Sequence, residues 1–363
     1  MKQTVKSMAA LGMTVMMLGS LCACGSSQTP APSAAAGTDT AGTTAAPAQT
    51  AAPAPGGTVE NYTWGSASMG GSAQLVITAI GTLVSDKNPG LNVNVQSTGG
   101  SMENPRLLRG GDIDIAHTGE PYNAFFGKGR FEPDGPMPED TMVLMKTYPA
   151  GGLFVVKGDS PIETMEDLAG KSIYLGPPAG MIDQVKLLLE YYGVTEENSD
   201  FVIMGYNEGA DALKDGTVDA AFCQYAGSQP ASTTAQLDET CDIRPLELSE
   251  EYCKQLNERY SDYGYYIASA GTIKKQDKDL PVTCTWNTQL CNSKLSEEAA
   301  YLIVKTAYEN VEELKKSHAL CGELDKENPL YGVPKAIPIH PGAAKYYKET
   351  GTWSDEYTVG ELK

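Results

Sequence analysis

Apolar and polar residues change their period repeatedly along this chain. LNVNVQST (91–98) alternates as a half-buried strand, and the NPRLLRGG that follows reads as a helix turn closed by glycine. DIDIAHT alternates again, while TMVLMKTY and GGLFVVKG are apolar β-type runs. SPIETMEDLAGKSIYLGPP reads as a turn, a short helix capped by Ser160 or Thr164, a glycine stop and a strand. AGMIDQVKLLLEYYGV is apolar at helical spacing up to Gly193, followed by a strand (DFVIMGY), a helix (EGADALKDG) and a strand (TVDAAFCQY). Strands alternating with helices predict an α/β architecture with largely parallel sheets.

Part of this pattern is written twice. Leu108, Arg109, Gly111, Ile113, Asp114 and Ala116 recur 105 residues later as Leu213, Lys214, Gly216, Val218, Asp219 and Ala221. Physically the repeated unit is a helix end, a glycine able to take positive φ, and a strand entering a core. The flanks repeat as well: a strand and a loop of small residues precede a helix in each half, STGGSMEN in one and LGPPAGMID in the other. The chain should therefore fold as two similar α/β lobes with a cleft between them.

Composition sets the ends apart from this body. Residues 1–24 carry Lys2 and Lys6 before an apolar stretch too short to span a bilayer, and LCAC ends it. That ending resembles a bacterial lipoprotein cleavage box, with Cys24 as the lipidated, palmitate-bearing first residue of the mature chain. Cleavage at an A-x-A-like site of an ordinary signal peptide is the alternative. Acylation would hold the protein at the outer face of the cell membrane without a spanning helix. Residues 25–57 contain only Gly, Ser, Gln, Thr, Pro, Ala and Asp39, so they cannot fill a core and read as a disordered tether. The formal net charge of −19 argues against nucleic acid and anionic lipid surfaces as partners. Cys223, Cys241, Cys253, Cys284, Cys291 and Cys321 lie at wide spacings and leave their pairing open. His117, His318 and His340 are scattered, so no metal site is expected, and no motif calls for a cofactor.

Candidate chemistry sits in three loops between a strand-like and a helix-like run: SASMGGS (66–72), STGGS (97–101) and GPPAG (176–180). A helix that starts in such a loop presents free N–H groups and the positive end of its dipole, which suits a small anion such as a carboxylate. In the rival reading each loop only caps its own helix. Arg106, Arg109 and Arg130 could pair a carboxylate bidentately, although Arg109 is expected to face solvent. His117 and Cys223 both end repeated strands, which leaves a Cys–His nucleophilic pair and a buried free cysteine as competing readings. Asp112 and Asp114 read as turn chemistry and His340 as a cap or buried donor.

GSASMGGSAQLVITAIGTLV, TGGSMENPRLLRGGDIDIAHTGEPYNAFFGKGRF, DLAGKSIYLGPPAGMIDQVKLLLEYYGV and VPKAIPIHPGAAKYYKETG are similar to the TAXI family, over about residues 58–353. These are the extracytoplasmic solute receptors of tripartite ATP-independent periplasmic (TRAP) transporters. The resemblance implies a type II periplasmic-binding-protein fold, with lobe one at 58–150 plus 266–363 and lobe two at 151–265. The lobes would be joined by crossing hinge strands near 147–158 and 261–269. It also implies a small acidic solute, such as glutamate or a 2-oxoacid, handed to the permease subunits in the membrane. Carried over by motif, the ligand-binding residues are Ser66, Ser68, Met69, Gly70, Ser72, Thr98, Gly99, Gly100, Ser101, Asn104, Thr118, Tyr122, Pro178, Ala179, Gly180 and Gln224. Two departures cut against glutamate: the first helix lacks the family's aromatic segment, and GPPGSGT becomes GPPAGMID, which loses two hydroxyls and brings in Asp183. The competing functions are a ligand-binding lipoprotein that feeds a membrane sensor and an extracellular thiol enzyme.

Overall fold

The computed structural model describes residues 59–178, 180–259 and 263–363. The expected signal segment, the tether and Cys24 lie outside the described residues. Lobe one opens with β1 (Glu60–Gly65), α1 (Ser72–Lys87), β2 (Leu91–Gln96), α2 (Asn104–Gly110), β3 (Ile115–Thr118) and α3 (Pro121–Phe126), then a 3-10 turn at Gly129–Asp134. The long β4 (Met142–Lys157) leads to β5 (Ser172–Gly176), α4 (Ile182–Tyr191), β6 (Asp200–Ile203), α5 (Tyr206–Asp215) and β7 (Ala220–Ala226). Next come β8 (Gln229–Pro230), α6 (Ser232–Thr240), β9 (Ile243–Pro245), α7 (Glu250–Arg259) and β10 (Tyr263–Ala268). β11 (Leu280–Cys291) returns to lobe one, where α8 (Glu297–Glu309), α9 (Val311–Ser317) and α10 (Pro341–Glu349) close the chain.

The two halves share one topology. β1 pairs in parallel with β2 and β3, and β5 pairs in parallel with β6 and β7. Each third strand then pairs antiparallel with a crossing strand, β3 with β11 and β7 with β4. β4 and β11 pair antiparallel with each other, so a single sheet runs through both lobes. This is the mixed α/β, type II periplasmic-binding-protein fold. The buried apolar residues form two cores, one with residues up to Tyr148 and from Leu290 onward, the other from Leu153 to Val282. β4 and β11 therefore pass from one core to the other along their own length.

The return differs from expectation. The tyrosine-rich run at 261–269 reads as a hinge in sequence, but β10 pairs on β11 while Tyr263 and Ala268 pack into the second core. The chain crosses back in β11 instead, between Val282 and Leu290. A second local correction concerns 160–170, where the expected helix shrinks to a 3-10 turn at Glu166–Leu168. The Asp167 carboxylate accepts the Glu163 and Thr164 amides and holds the approach in a turn.

The repeated sequence unit is a repeated structure. Gly111 and Gly216 take left-handed φ of 78° and 76° at the ends of α2 and α5. Leu108 and Leu213, Ile113 and Val218, and Ala116 and Ala221 are buried pairwise. The aspartates do the same work twice. Asp114 Oδ2 accepts the Thr63 N–H at 2.8 Å, and Asp219 Oδ2 accepts the Ser172 N–H at 2.9 Å. Each carboxylate thus pins a third strand to the first strand of its own lobe. His340, fully buried, caps α10 by accepting the Gly342 N–H at Nδ1 and donates through Nε2 to the Leu295 carbonyl. Arg109 does not face solvent: its guanidinium donates to the Asp134 and Gly135 carbonyls.

Replacing Asp114 with Ala leaves the Thr63 N–H without its side-chain acceptor and should cost about 1–2 kcal/mol in chemical denaturation. Asp219→Ala, at a more exposed bond, should cost less. The double variant should equal the sum within about 0.5 kcal/mol, because the sites lie in separate lobes.

Candidate functional site

In an open parallel sheet the carboxyl ends of the strands, where loops turn into helices, leave a crevice. Here both lobes aim those ends at one gap. The loops after β1, β2 and β3 meet the loop after β5, the start of α5 and the end of β7 around a cleft of about 280 Å³. Lobe one contributes Ser68, Ser72, Gly99, Gly100, Ser101, His117 and Glu120, and lobe two Pro177, Gly180, Met181, Tyr206 and Gln224. Tyr148 and Ala150 from β4, with Thr285 and Asn287 from β11, form its floor.

Of the residues expected from sequence, Ser68, Ser72, Gly99, Gly100, Ser101, Gly180 and Gln224 line this cleft. The others do not. Ser66 is fully buried and donates its hydroxyl to the Gln96 carbonyl. Met69 is 85% exposed, and the Gly70 amide reaches back to Gln74. Asn104, also fully buried, donates through Nδ2 to the Ser66 and His117 carbonyls at 2.7 and 2.9 Å. It ties two strand ends together and touches no opening. Thr98 Oγ1 accepts the Gly100 N–H, and the buried Thr118 hydroxyl donates to the Ser101 carbonyl. Tyr122 takes a hydrogen bond from Lys128 and stacks on Phe126. Pro178 gives its carbonyl to Arg130 at 2.8 Å. Ala179 lies outside the described residues.

The three loops divide between the two sequence readings. In the second loop the Gly99 amide is taken by Glu103 and the Gly100 amide by Thr98, so that loop caps itself. α1 and α4 begin at Ser72 and Ile182 with no side-chain cap on Gly71 or Met181. Their first-turn amides lack intrahelical partners and stand at the cleft wall beside Ser72 and Gly180. α5 likewise starts with no side-chain cap, at Tyr206, whose hydroxyl bonds to the Gln224 side chain.

Sequence reasoning missed Glu120, Tyr148, Tyr206, Thr285 and Asn287. Thr285 is 2% exposed and its Oγ1 has no hydrogen-bond partner. A buried hydroxyl left open in a cleft wall calls for a partner that the protein itself does not supply, a water or a solute atom. His117 is held by a relay: Trp64 Nε1 donates to Gln289 Oε1 at 2.9 Å, which turns Gln289 Nε2 toward His117 Nδ1 at 3.5 Å. The proton then sits on Nε2. Burial pushes the His117 pKa down to about 4, so the ring is neutral at pH 7. The Cys–His pair does not form: the His117 ring contacts Gln289, while Cys223 packs in the second core, where burial pushes its thiol up to about 12. The six cysteines among the described residues are free, and those residues hold no cluster of three or more His, Cys, Asp or Glu side chains placed to ligate a metal. No described helix is long and apolar enough to cross a membrane.

Arg130 bridges the lobes across the mouth of the cleft. Its guanidinium donates to the Pro178 and Gly180 carbonyls of lobe two, each at 2.8 Å, and pairs with Glu120 of its own lobe. Arg130 Nε also faces Asp183 Oδ2 at 3.7 Å. Burial raises the Glu120 pKa while Arg130 opposes the rise.

A model of the NMT1-like family matches residues 64–351 of the chain. Among solved structures, the aliphatic sulphonate-binding protein SsuA of Escherichia coli is 16% identical, with 80% of this chain and 78% of that chain covered and a TM-score of 0.46. The alkanesulfonate-binding protein SsuA of Xanthomonas axonopodis pv. citri, bound to MOPS, is 13% identical, with 84% and 98% covered and a TM-score of 0.46. The probable amino-acid ABC transporter binding protein ytmK of Bacillus subtilis is 14% identical, with 74% and 99% covered and a TM-score of 0.42.

Two outcomes test the geometry. Below about pH 6.5 the unfolded chain takes up a proton at His117 that the folded chain refuses until about pH 4. The contribution of His117 to stability is thus complete above 6.5 and lost as pH falls toward 4, on the order of 2–3 kcal/mol. Urea titrations across that window should show a smaller loss for His117→Gln than for the parent. Arg130→Ala removes two charge-assisted bonds between lobes, so the backbone amides of 180–185 should exchange with deuterium about tenfold faster or more.

Proposed function

This chain belongs to the NMT1-like family, and from that premise we propose that it is a membrane-anchored extracytoplasmic solute receptor. It binds a small carboxylate, an amino acid such as glutamate or a 2-oxoacid, in the cleft between its lobes. It then delivers that solute to the membrane subunits of a TRAP permease, as the resemblance to TAXI receptors implies. Cys24 carries the lipid, and the tether lets the lobes reach the permease.

One observation carries the reading: two long helices with uncapped first turns and the partnerless Thr285 hydroxyl converge on a single gap between strand ends. Amide N–H groups at a helix start, together with hydroxyls, are donors suited to a carboxylate. A crevice between lobes joined by two strands also suits closure around a captured solute. Ser68, Ser72, Ser101, Gly180, Gln224 and Thr285 are the residues that would touch the ligand.

Thermal-shift screening against glutamate, glutamine, 2-oxoglutarate and short mono- and dicarboxylates should reveal a solute that raises Tm in proportion to the logarithm of its concentration. Absence of a shift with every one of them would sink the carboxylate reading. With a binding solute in hand, Thr285→Val should weaken affinity by about 1 kcal/mol, read by calorimetry. The ligand-free Tm should hold, because the hydroxyl bonds to nothing within the protein.

A further inference from the structure

The charge inventory of the cleft is lopsided. Among the described residues that line it none is lysine or arginine, and Glu120 is the carboxylate among them. Arg106, Arg109 and Arg130, the guanidinium groups that the sequence offered for a ligand, are committed elsewhere. Arg106 pairs with Asp134, Arg109 holds the Asp134 and Gly135 carbonyls, and Arg130 holds Glu120 and two lobe-two carbonyls. Turning Arg130 toward a ligand would strip Glu120, 9% exposed, of its cation.

Neutral polar groups gather in one patch, two hydroxyls able to donate beside one acceptor, Asn287 Oδ1; the Asn287 Nδ2 already donates to the Tyr148 carbonyl. A Cβ placed on Gly119 would lie 3.5 Å from Ser101 Oγ, 3.6 Å from Asn287 Oδ1 and 3.9 Å from Thr285 Oγ1, so these polar groups crowd around a single point. Ser101 Oγ already accepts the Gly119 N–H at 2.9 Å, so its proton is free to donate outward. Thr285 Oγ1 is open, and His117 presents a neutral ring whose proton is on Nε2. Together with the start of α1 this is a seat for one anionic group. A second carboxylate on the same solute would have to lie against the rest of the wall, where Ala150, Pro177, Met181 and Ala226 alternate with the neutral groups of Tyr148, Tyr206 and Gln224, and where Glu120 is the charged side chain among the described lining residues. Glu120 Oε2 has a single long contact, 3.4 Å from Asn123, and so still accepts hydrogen bonds.

We propose that the cleft narrows this reading to solutes bearing one carboxylate and turns away those bearing two, glutamate among them, with Glu120 as the discriminating side chain. The inference rests on the reading of this cleft as a carboxylate receptor. A hydroxyl, amide or ammonium group on the solute is welcomed at Glu120, whereas a carboxylate there is repelled. At a separation of about 6 Å near a protein surface the repulsion is worth roughly ten- to a hundredfold in affinity, toward the lower figure because Arg130 offsets part of the charge.

Calorimetry on the full chain with matched pairs tests this: glutamine against glutamate, and 2-oxopentanoate against 2-oxoglutarate, the members of each differing at one terminal group. The member of at least one pair that bears one carboxylate should bind about tenfold tighter or more. Glu120→Gln should bring its partner with two carboxylates to within about threefold. A member with two carboxylates that binds the parent protein as tightly as its partner, or tighter, overturns the selectivity rule and leaves the receptor reading intact. Binding by neither member of either pair, nor by any solute in the thermal screen, removes both. If Glu120→Gln fails to fold, the comparison on the parent protein decides alone.

Discussion

Everything in this molecule depends on the antiparallel pairing of β4 with β11. Both strands are buried along nearly their whole length, and each is flanked by the other and by the third strand of one lobe. Their approach is close: a Cβ on Gly151 would stand 2.2 Å from the Thr283 carbonyl oxygen, so only glycine fits there. That pairing fixes both parallel triplets at once, and their carboxyl ends face the same gap. The loops that build the cleft inherit their positions from this central ribbon, while their own sequences remain free to set chemistry.

Much of the fold was readable because each half needs the same local devices. A glycine that can turn left-handed, an aliphatic pair that dives into a core, and an aspartate that grips the neighbouring strand leave a repeated imprint 105 residues apart. The return crossing was not readable. β10 offers the stronger strand signal, with tyrosines in near alternation, yet it is a neighbour of the ribbon and not part of the passage. β11 is buried throughout, so it has no polar face whose period would announce which residues look into the cleft.

The same blindness explains the site. Small polar residues at strand ends have two possible occupations, tying the ends together or facing a ligand, and composition does not separate them. Asn104, Ser66 and Thr118 took the first, Ser72 and Ser101 the second. Thr285 and Asn287 lie far along the chain from the loops they join, Thr285 165 residues after Glu120, inside a strand whose neighbours are equally buried. Only the pairing of β11 with β3 and β4 brings them under the cleft. A chain of net charge −19 keeps that cleft free of its own cations and spends its nearby arginines on architecture. The proposed recognition rests on dipoles and hydroxyls, which are specific in direction and modest in strength.

β4 follows lobe one in the chain but completes the sheet edge of lobe two, and β11 follows lobe two but completes that of lobe one. Each half thus lends its terminal strand to the other, an exchange of the kind seen when two molecules swap segments, here performed within a single polypeptide. Neither half is a detachable module. Excising residues 158–279 as a gene fragment would yield a piece with β7 lacking its long partner and its unpaired edge open to aggregation.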